Sequence, residues 1–588
     1  MENGTYSAKV NGFHGPFTAT VTVDNDVIEN IDLEGLTPYT VGESAAKEMA
    51  KKIIKANSVD VDAITTASYS SSSAKLAVSK ALKVAKGEIT AEEAMDTKND
   101  KLSLKLPTYQ SPVSEKFYED KFDDEYDMII AGSGVSGLAA AVIAAQKGLS
   151  VMIYEKAGMS GGSSKYSEGE VQAADTKPQK DFSKYTDDSV DKHIKEMLQV
   201  GGNSVEEDLV RDYAEDAPKI IEWLSSLGIE WTGVFGHKGL PYEDSEIFAD
   251  RIHYYKHGGV AGGGIVLTNL LLKTALDAGA QITYDSPVIS LIQKDPENSE
   301  VVGVVTESQG KRSFHRAKKG VLLATGGIDH NLSLSKRFNL QNYRDLLNHK
   351  VTTAKTDTGD GVILGGNIGG ALTGFGGVVD SNARIPQARD TQPTVPAIYV
   401  NGFGQRYVNE EMGYGYISYE NYLQEDLTKK NNLAIFDENL LGTHGTWKDK
   451  AALERDMQKG DVVSTSTVQE LAEKTGLPKE RLVATVANWN KDAKEGRDSE
   501  YDRKLAVQPI KSPFYAYKMT DSNYGAIGGL QVNVNQEVLD NNGNVIKGLY
   551  AAGMAAGGVI GRIYFASGLA LGTGLHQGRK AAQVIADK

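Results

Sequence analysis

Cysteine is absent from this 588-residue sequence. Its absence excludes disulfides, iron–sulfur clusters, CxxCH haem attachment, thiolate zinc sites and cysteine nucleophiles. Long apolar runs are missing as well, because the longest, at about residues 138–145, is far too short to span a bilayer. The N-terminus, Met1-Glu2-Asn3-Gly4, lacks the basic and then apolar pattern of a secretory signal. We therefore expect a cytoplasmic protein without a membrane span.

Acidic residues outnumber basic residues, 78 to 63. The formal net charge is −15 and no run rich in Lys or Arg stands out, so nucleic acid and anionic membranes are not expected partners. Glycine, in contrast, is plentiful. The 62 glycines cluster in short motifs, which indicates a backbone that approaches a bulky ligand. The chain is too long for one hydrophobic core, so three or so structural units are expected.

The first of these units is a small α+β domain at residues 1–90. Alternating and helical apolar patterns predict strands at 18–23 and 27–33, helices at 43–56 and 74–84, and a hydroxyl-rich loop at 62–73. Residues 91–124 are polar and charged, contain Pro107 and Pro112, and show no clear periodicity. They are predicted to form a linker.

A glycine motif opens the next domain. The short apolar strand 128–131 is followed by Gly132-Ser133-Gly134-Val135-Ser136-Gly137 and an alanine-rich stretch, and the next strand ends at Glu155. The glycines permit a tight turn, close approach to a pyrophosphate, and close packing of helix on strand. The helix N-terminus favours phosphate, and a carboxylate at the second strand end can accept hydrogen bonds from ribose hydroxyls. The pattern predicts a Rossmann-like α/β domain that binds a dinucleotide.

Later motifs carry a resemblance to a known family. They are Gly161-Gly162-Ser163-Ser164, Thr325-Gly326-Gly327, Thr358-Gly359-Asp360-Gly361 and Leu549-Tyr550-Ala551-Ala552-Gly553. From about residue 126 onward, the chain resembles the flavoprotein subunit of the fumarate reductase/succinate dehydrogenase family. The resemblance implies an FAD-binding domain at 125–374 and 511–588, with an α+β capping domain inserted at 375–510. The active site would lie between the cap and the flavin ring.

The resemblance also assigns residues to FAD. They are Gly132, Gly134, Gly137, Glu155, Lys156, Gly162, Ser163, Ser164, Gly327, Asp360, Gly553, Ser567 and Leu569. Members with covalent FAD carry a histidine in the stretch aligned with Gly162 to Ser164, where this chain has none, so non-covalent FAD is expected. A second nucleotide-binding fingerprint is not evident. Electrons are therefore expected from a reductase partner or a reduced flavin rather than directly from NAD(P)H.

The segment Asp62-Ala63-Ile64-Thr65-Thr66-Ala67-Ser68 resembles the motif of FMN-binding domains. In those domains a flavin transferase esterifies the FMN phosphate to a hydroxyl, and Ser68 occupies the acceptor position. Thr66 stands where glycine is usual, which puts the shape of the turn in doubt. The resemblance implies covalent FMN at Ser68 and a flavin transferase as maturation partner. The alternative is an unmodified loop in which Ser70 to Ser73 merely solubilise the surface.

The residues that hold a dicarboxylate in fumarate reductases are replaced in this sequence. Tyr414 stands where an arginine is expected after Asn409-Glu410, Tyr564 stands in the region of the carboxylate-binding arginine, and histidine is missing before Gly528. A dianion needs bidentate, permanently charged partners, which tyrosine cannot supply. Fumarate is therefore not the expected substrate.

The replacements resemble the active-site tyrosines of 3-ketosteroid dehydrogenases. The resemblance implies that Tyr564 O–H and Gly568 N–H hold a carbonyl oxygen, while reduced FAD delivers hydride from N5. Tyr414, protonated at neutral pH because a phenol has a pKa of about 10, would give the proton. We therefore predict an ene-reductase that acts on a C=C bond conjugated to a carbonyl. Tyrosines that merely pack are the alternative.

Two other functions stay open. One is a reductase of an unsaturated carboxylate, resembling urocanate or acrylate reductases, for which Arg562 is the nearby cation. The other is a flavin electron carrier without substrate chemistry. His253 and His257 lie four residues apart, but a third ligand is not evident, so a metal is not expected. We place His253, Tyr524 and Arg562 near flavin or substrate.

Overall fold

The computed structural model describes residues 1–65, 67–98, 100–102, 107–118, 121–236, 246–257, 263–296, 298–382, 396–443, 447–519 and 521–588. Its N-terminal part is an antiparallel sheet packed against helices. The elements are β1 (Gly4–Gly12), β2 (Gly15–Asp24), β3 (Val27–Glu34), α1 (Val41–Ala56), α2 (Ser68–Ala85) and α3 (Ala91–Met95). Alternate residues of β2 are buried under the helices, as the period of the strand predicts.

Helix α2 begins at Ser68, six residues before the predicted start at Ala74. Ser71, Ser72 and Ser73 are buried within it, so the predicted loop ends before them and the alternative in which they only solubilise the surface does not hold for these three. The Ser71 hydroxyl accepts from the Ile64 N–H at 3.0 Å, and the Ser73 hydroxyl donates to the Asn11 carbonyl at 3.2 Å. The low helix propensity of serine hid this turn, whereas its small, bonded side chain suits a buried helix face.

The predicted linker lies against the neighbouring domains. Helix α3, beyond residue 90, buries Ala94 against the N-terminal core. Further on, the Val113 N–H donates to the Ile289 carbonyl at 2.8 Å, and the rings of Phe117 and Phe314 meet edge to face. The described part of this segment is therefore packed rather than free.

The next part of the chain alternates strands and helices. Its strands are β4 (Asp124–Ala131), β5 (Val151–Tyr154), β6 (Val171–Gln172), β7 (Trp231–Phe235), β8 (Ile252–Tyr255), β9 (Gln281–Thr283), β10 (Val288–Asp295), β11 (Asn298–Ser308), β12 (Lys311–Leu323), β13 (Leu372–Thr373) and β14 (Val378–Asn382). Its helices are α4 (Val135–Gln146), α5 (Lys177–Phe182), α6 (Val190–Gly201), α7 (Glu207–Ser226), α8 (Gly264–Asp277), α9 (Leu332–Phe338), α10 (Leu340–Leu347) and α11 (Asp360–Asn367).

The cap follows, and then the chain returns to the first sheet. The cap contains β15 (Ala397–Val400), α12 (Tyr414–Thr428), β16 (Leu433–Phe436), α13 (Lys450–Lys459), β17 (Val462–Thr465), α14 (Val468–Thr475), α15 (Lys479–Lys494) and β18 (Phe514–Lys518). The returning elements are β19 (Asp521–Ala526), β20 (Gly529–Leu530), β21 (Glu537–Leu539), β22 (Val545–Ala551) and α16 (Leu569–Asp587). Strand β18 pairs inside the cap sheet although it lies beyond the predicted boundary at residue 510.

The central sheet is parallel in the order β22-β12-β4-β5-β9, and β12 also pairs antiparallel with β11. Residues 128–131 of β4 and all of β5 are buried and apolar, as expected for a parallel sheet covered on both faces. Helices α4 and α16 pack on each other through alanine and glycine. This is the Rossmann-like arrangement predicted from the glycine motif. In the described ranges, no helix combines the length and apolar character needed to cross a bilayer.

A buried ion network orders the cap segment before α12. Arg406 binds Glu410 at 2.7 Å and Asp498 at 2.8 Å, and Arg503 binds Glu410 at 3.2 Å. Buried charges are tolerated only when paired in this way, because an unpaired one costs several kcal/mol. The network therefore fixes the loop that leads to Tyr414.

Candidate active site

A cavity of about 580 Å³ lies between the parallel sheet, the start of α12 and the start of α16. It opens where β4, β5, β12 and β22 end, which is the usual ligand position in open α/β sheets. Its wall includes these predicted residues: Gly132, Gly134, Glu155, Lys156, Gly162, Ser163, Ser164, Asp360, Tyr414, Tyr524, Gly553, Tyr564, Ser567 and Gly568.

The glycine turn after β4 leaves no room for side chains. Gly132 has φ +98°, and a Cβ atom there would lie 2.3 Å from the Ala324 carbonyl oxygen. A Cβ atom on Gly137, which lies outside the cavity wall, would lie 2.2 Å from the Gly132 carbonyl oxygen, so Gly137 serves helix–strand packing. Gly134 precedes α4, and the first amide of that helix donates to the Ser164 hydroxyl at 3.2 Å.

We expect Gly132→Ala to weaken FAD binding by about tenfold or more, because a left-handed backbone position and a carbonyl contact are both violated. The measurement is the ratio of bound flavin to protein after gel filtration. Gly148→Ala is the matched control, since Gly148 also has a positive φ (+84°) but nothing within 4 Å of an added Cβ. Equal flavin content in both variants would contradict the close approach of backbone to cofactor.

Glu155 is buried at the end of β5 and is held rigidly. One oxygen accepts from the Ser133 N–H at 2.9 Å and from its hydroxyl at 2.5 Å, and the other accepts from the Ala157 N–H at 2.7 Å. A carboxylate has about four acceptor sites, so it can still receive hydroxyl donors from the cavity. The glycine turn, the start of α4 and this carboxylate together fit the pyrophosphate and ribose of FAD.

Lys156 connects two of the predicted motifs. Its ammonium group donates to the Thr358 hydroxyl at 2.7 Å and to the Asp360 carboxylate at 2.9 Å. Gly553, with φ +66°, donates its N–H to Gln577 at 2.9 Å on the opposite side of the sheet end. Gly327 and Leu569 lie outside the cavity wall, next to wall residues.

Two buried carboxyl groups in the wall were not predicted from the sequence. Burial raises the pKa of Asp329 to about 6, and burial together with the nearby Asp329 raises the pKa of Asp357. The Ser163 hydroxyl donates to Asp357 and accepts from the Ala354 N–H at 2.9 Å. Asp357 lies just before the Thr-Gly-Asp-Gly motif and Asp329 just after Thr-Gly-Gly, and this proximity was the available signal.

Tyr414 and Tyr564 meet in the cavity, with ring centroids 6.2 Å apart. The Tyr414 hydroxyl lies 2.9 Å from the Ser567 hydroxyl. The Tyr564 hydroxyl accepts from the Ala570 N–H at 3.2 Å at the start of α16, so its own hydrogen is left for another acceptor. Burial, with a contribution from Glu170, raises the pKa of Tyr564, which keeps the phenol protonated.

Gly568 differs from its implied role in one respect. It has φ +83°, and a Cβ atom there would lie 2.9 Å from the Gln172 nitrogen. Burial raises the pKa of Tyr564, and the nearby N–H groups of Ala570, Leu569 and Gly568 partly offset that rise. In this arrangement Tyr564 is the donor aimed into the cavity, and the Gly568 amide supports it.

Of the other three residues predicted near flavin or substrate, one lines the cavity and two do not. Tyr524 lines the cavity. His253 does not, because its ring is buried and contacts the Thr176 hydroxyl at 2.6 Å and the Arg251 carbonyl at 2.8 Å. Burial lowers the pKa of His253 to about 4. The Arg562 side chain is exposed, lies over Gly376, and is also outside the wall.

The cavity wall is acidic. Within the described part of the chain, its cation is Lys156, already paired with Asp360, and neither arginine nor histidine contributes. Its acidic members are Glu155, Glu168, Glu170, Asp329, Asp357 and Asp360. Of these, buried Glu170 lies beside Tyr564, where the substrate is expected.

The N-terminal domain rests on the outside of this wall. Met159 and Ile265 belong to its hydrophobic core, and Met159 lies three residues before Gly162 of the cavity. Lys52 binds Asp285 at 2.5 Å and reinforces the contact. The two domains are therefore in direct contact near the segment that leads to Gly162.

Ser68 is the first residue of α2 and is half-buried. Within the described ranges, its hydroxyl forms no hydrogen bond, which suits an acceptor of a phosphoester. Thr66, the unusual position of the motif, lies outside the described residues. Its neighbour Thr65 contacts the Tyr109 hydroxyl at 3.1 Å.

Comparison with protein families agrees with this architecture. The model described as FAD binding domain matches residues 127–571, and the FMN-binding domain model matches residues 12–83. Because the first match covers well over half of the sequence, the chain belongs to the FAD binding domain family. It is a flavoprotein with FAD and FMN as cofactors, and the predicted fold class is confirmed.

Several known proteins resemble the chain. An NADH:fumarate oxidoreductase of Klebsiella pneumoniae is 29% identical over 92% of this chain, but the chain spans only 54% of that relative. A vinyl phenol reductase of Lactiplantibacillus plantarum is 28% identical over 78% of this chain and 97% of its own length. The structure of a 3-ketosteroid-delta4-(5alpha)-dehydrogenase from Rhodococcus jostii with 4-androstene-3,17-dione matches with TM-score 0.68 and 28% identity, over 82% of this chain and 100% of that one.

Proposed function

We propose that the protein is an FAD-dependent reductase of a C=C bond conjugated to an uncharged carbonyl, with electrons entering through FMN. The observation that carries this proposal is the pair Tyr414 and Tyr564 in an acidic cavity wall. The similarity to a 3-ketosteroid dehydrogenase whose structure holds 4-androstene-3,17-dione, an enone, supports it. The similarity to an NADH:fumarate oxidoreductase is the observation on the side of the carboxylate alternative.

The two phenols act on different atoms of the substrate. Reduced FAD, when bound, supplies the hydride. Tyr564 donates its hydrogen bond to the substrate carbonyl oxygen and stabilises the enolate charge that develops there, aided by the helix amides behind its hydroxyl. Tyr414 donates its proton to the α-carbon. The neighbouring Ser567 hydroxyl, 2.9 Å away, orients the phenol of Tyr414.

Charge argues against the carboxylate alternative. A carboxylate would need a bidentate cation, whereas exposed Arg562 lies outside the described cavity wall and Lys156 is engaged by Asp360. Buried Glu170 near Tyr564 would repel an anion held at that hydroxyl. An uncharged enone meets no such penalty.

We expect enones to be reduced with kcat/KM at least about 10²-fold above that of fumarate, acrylate and urocanate, because Glu170 would repel a carboxylate held at the Tyr564 hydroxyl. The assay follows oxidation of a reduced viologen dye with each substrate in turn. Tyr564→Phe should remove most of the enone activity. Faster turnover of any of the carboxylates would contradict the proposal.

The FMN part of the proposal rests on Ser68. A flavin transferase would cleave the pyrophosphate of a donor FAD and join its FMN half to the Ser68 oxygen, with AMP and the hydroxyl proton leaving. The FAD of the second domain would stay non-covalent. Contact of the FMN domain with the cavity wall gives electrons a short path to FAD. The donor would be a reductase partner or a reduced flavin.

A further inference from the structure

Exposed aromatic rings surround the predicted attachment point. Phe13 is 71% exposed, Tyr39 55% and Tyr69, next to Ser68, 44%. The Phe13 ring meets His14 at 4.9 Å and Tyr69 at 6.0 Å between centroids. Clusters of large exposed rings are uncommon on soluble proteins and mark binding surfaces.

A second contact extends this cluster across the domain boundary. Tyr39 of the FMN domain stacks on His257 of the FAD domain, with centroids 4.0 Å apart and planes 14° apart. Both residues have positive φ, 59° and 68°, a strained conformation for large side chains. Strain of this kind persists where the surroundings enforce it and concentrates at ligand clamps.

Gly42 lies between the group of Phe13, His14 and Tyr69 and the pair of Tyr39 and His257. It lies three residues after Tyr39, and a Cβ atom there would lie 3.5 Å from His14 and 2.9 Å from the Ser70 hydroxyl. The rings therefore line one face at the start of α1 and α2. We name Phe13, His14, Tyr39, Tyr69 and His257 the aromatic patch.

We propose that the aromatic patch is the binding surface for the isoalloxazine ring of the FMN attached to Ser68. The inference rests on the proposed attachment at Ser68. A planar heteroaromatic ring tethered one residue from Tyr69 gains stacking and buries apolar surface that is otherwise in water. Because His257 belongs to the FAD domain, a ring on the patch lies at the domain junction.

The test uses the holoenzyme co-expressed with a flavin transferase, with FMN loading checked by intact mass. FMN emission is the difference between each variant and the same variant carrying Ser68→Ala, which retains FAD only. Phe13→Ala, Tyr69→Leu and His257→Ala each remove one ring of the patch. Phe182→Ala, on α5 and 50% exposed, is the matched control.

We expect each patch variant to show stronger FMN emission than the wild type, because FMN stacked on the patch is quenched. The loss of one ring should shift the ratio of docked to undocked FMN by about fivefold. The control should match the wild type. Unchanged emission in fully loaded patch variants overturns the proposal. It is also overturned if the variants change only the rate of reduction by a protein donor, because the patch would then be a surface for that partner.

Loading separates this proposal from the one on which it rests. A wild-type protein without added FMN mass refutes attachment at Ser68, and the patch proposal falls with it. If Tyr69→Leu alone resists loading, Phe13→Ala and His257→Ala, distant from the motif in sequence, decide the result.

Discussion

Replacement of Tyr414 by phenylalanine is expected to lower kcat for enone reduction by about 10² to 10⁴-fold, the usual contribution of a positioned proton donor. The variant loses one hydroxyl at the start of α12, next to Ser567, and keeps the ring that packs near Tyr564. FAD binding should be unchanged because the glycine turn and Glu155 lie elsewhere in the cavity. The measurement is single-turnover oxidation of the reduced enzyme by substrate.

Tyr419→Phe is the matched control, because Tyr419 lies on the same helix but outside the cavity wall. Near wild-type turnover in Tyr414→Phe would show that the proton comes from another group. The same variant separates an enzyme from an electron carrier. Transfer of electrons from FMN to an artificial acceptor should survive the change in either case, whereas only a reductase loses turnover.

Replacement of Ser68 by alanine is expected to abolish covalent FMN completely. Intact mass after co-expression with a flavin transferase should show the wild type heavier by one FMN phosphoester and the variant unmodified. The physical reason is that the proposed acceptor is the hydroxyl at the start of α2, and alanine has none. Turnover driven by a small reduced dye should be retained, since such a dye can reach FAD directly.

Ser70→Ala is the matched control, because Ser70 lies two residues further along α2 and is also half-buried. FMN mass that persists in Ser68→Ala, or disappears in Ser70→Ala, would assign the attachment to another hydroxyl. FMN loading with no donor-driven reduction of FAD would instead place electron entry elsewhere.

The dinucleotide turn could be predicted because its requirements are local. Glycine at 132 and 137 is dictated by backbone atoms a few ångströms away, and those contacts recur wherever a strand turns tightly into a helix. The start of α2 could not be predicted in the same way. Its serines have low helix propensity, and only packing against β1 makes them helical.

The candidate site was reached from the sequence only in part. Tyr414 and Tyr564 were predicted because they replace expected cations, but their contact spans 150 residues and two domains. His253 was wrongly placed near the substrate, since its position one strand behind the wall depends on the pairing of β8 with β6. Asp329 and Asp357 were missed because the local sequence does not reveal that they are buried, and it is burial that raises their pKa values.

The sequence by itself determined the class of cofactor, the order of the domains and the exclusion of thiol chemistry, because each follows from residue types and short-range spacing. Only the tertiary structure decided which side chains line the cavity, that Arg562 lies outside its described wall, and that the FMN domain packs on the FAD domain near it. These features arise from contacts between distant segments, whose free energies depend on burial and charge in the folded chain and not on local sequence.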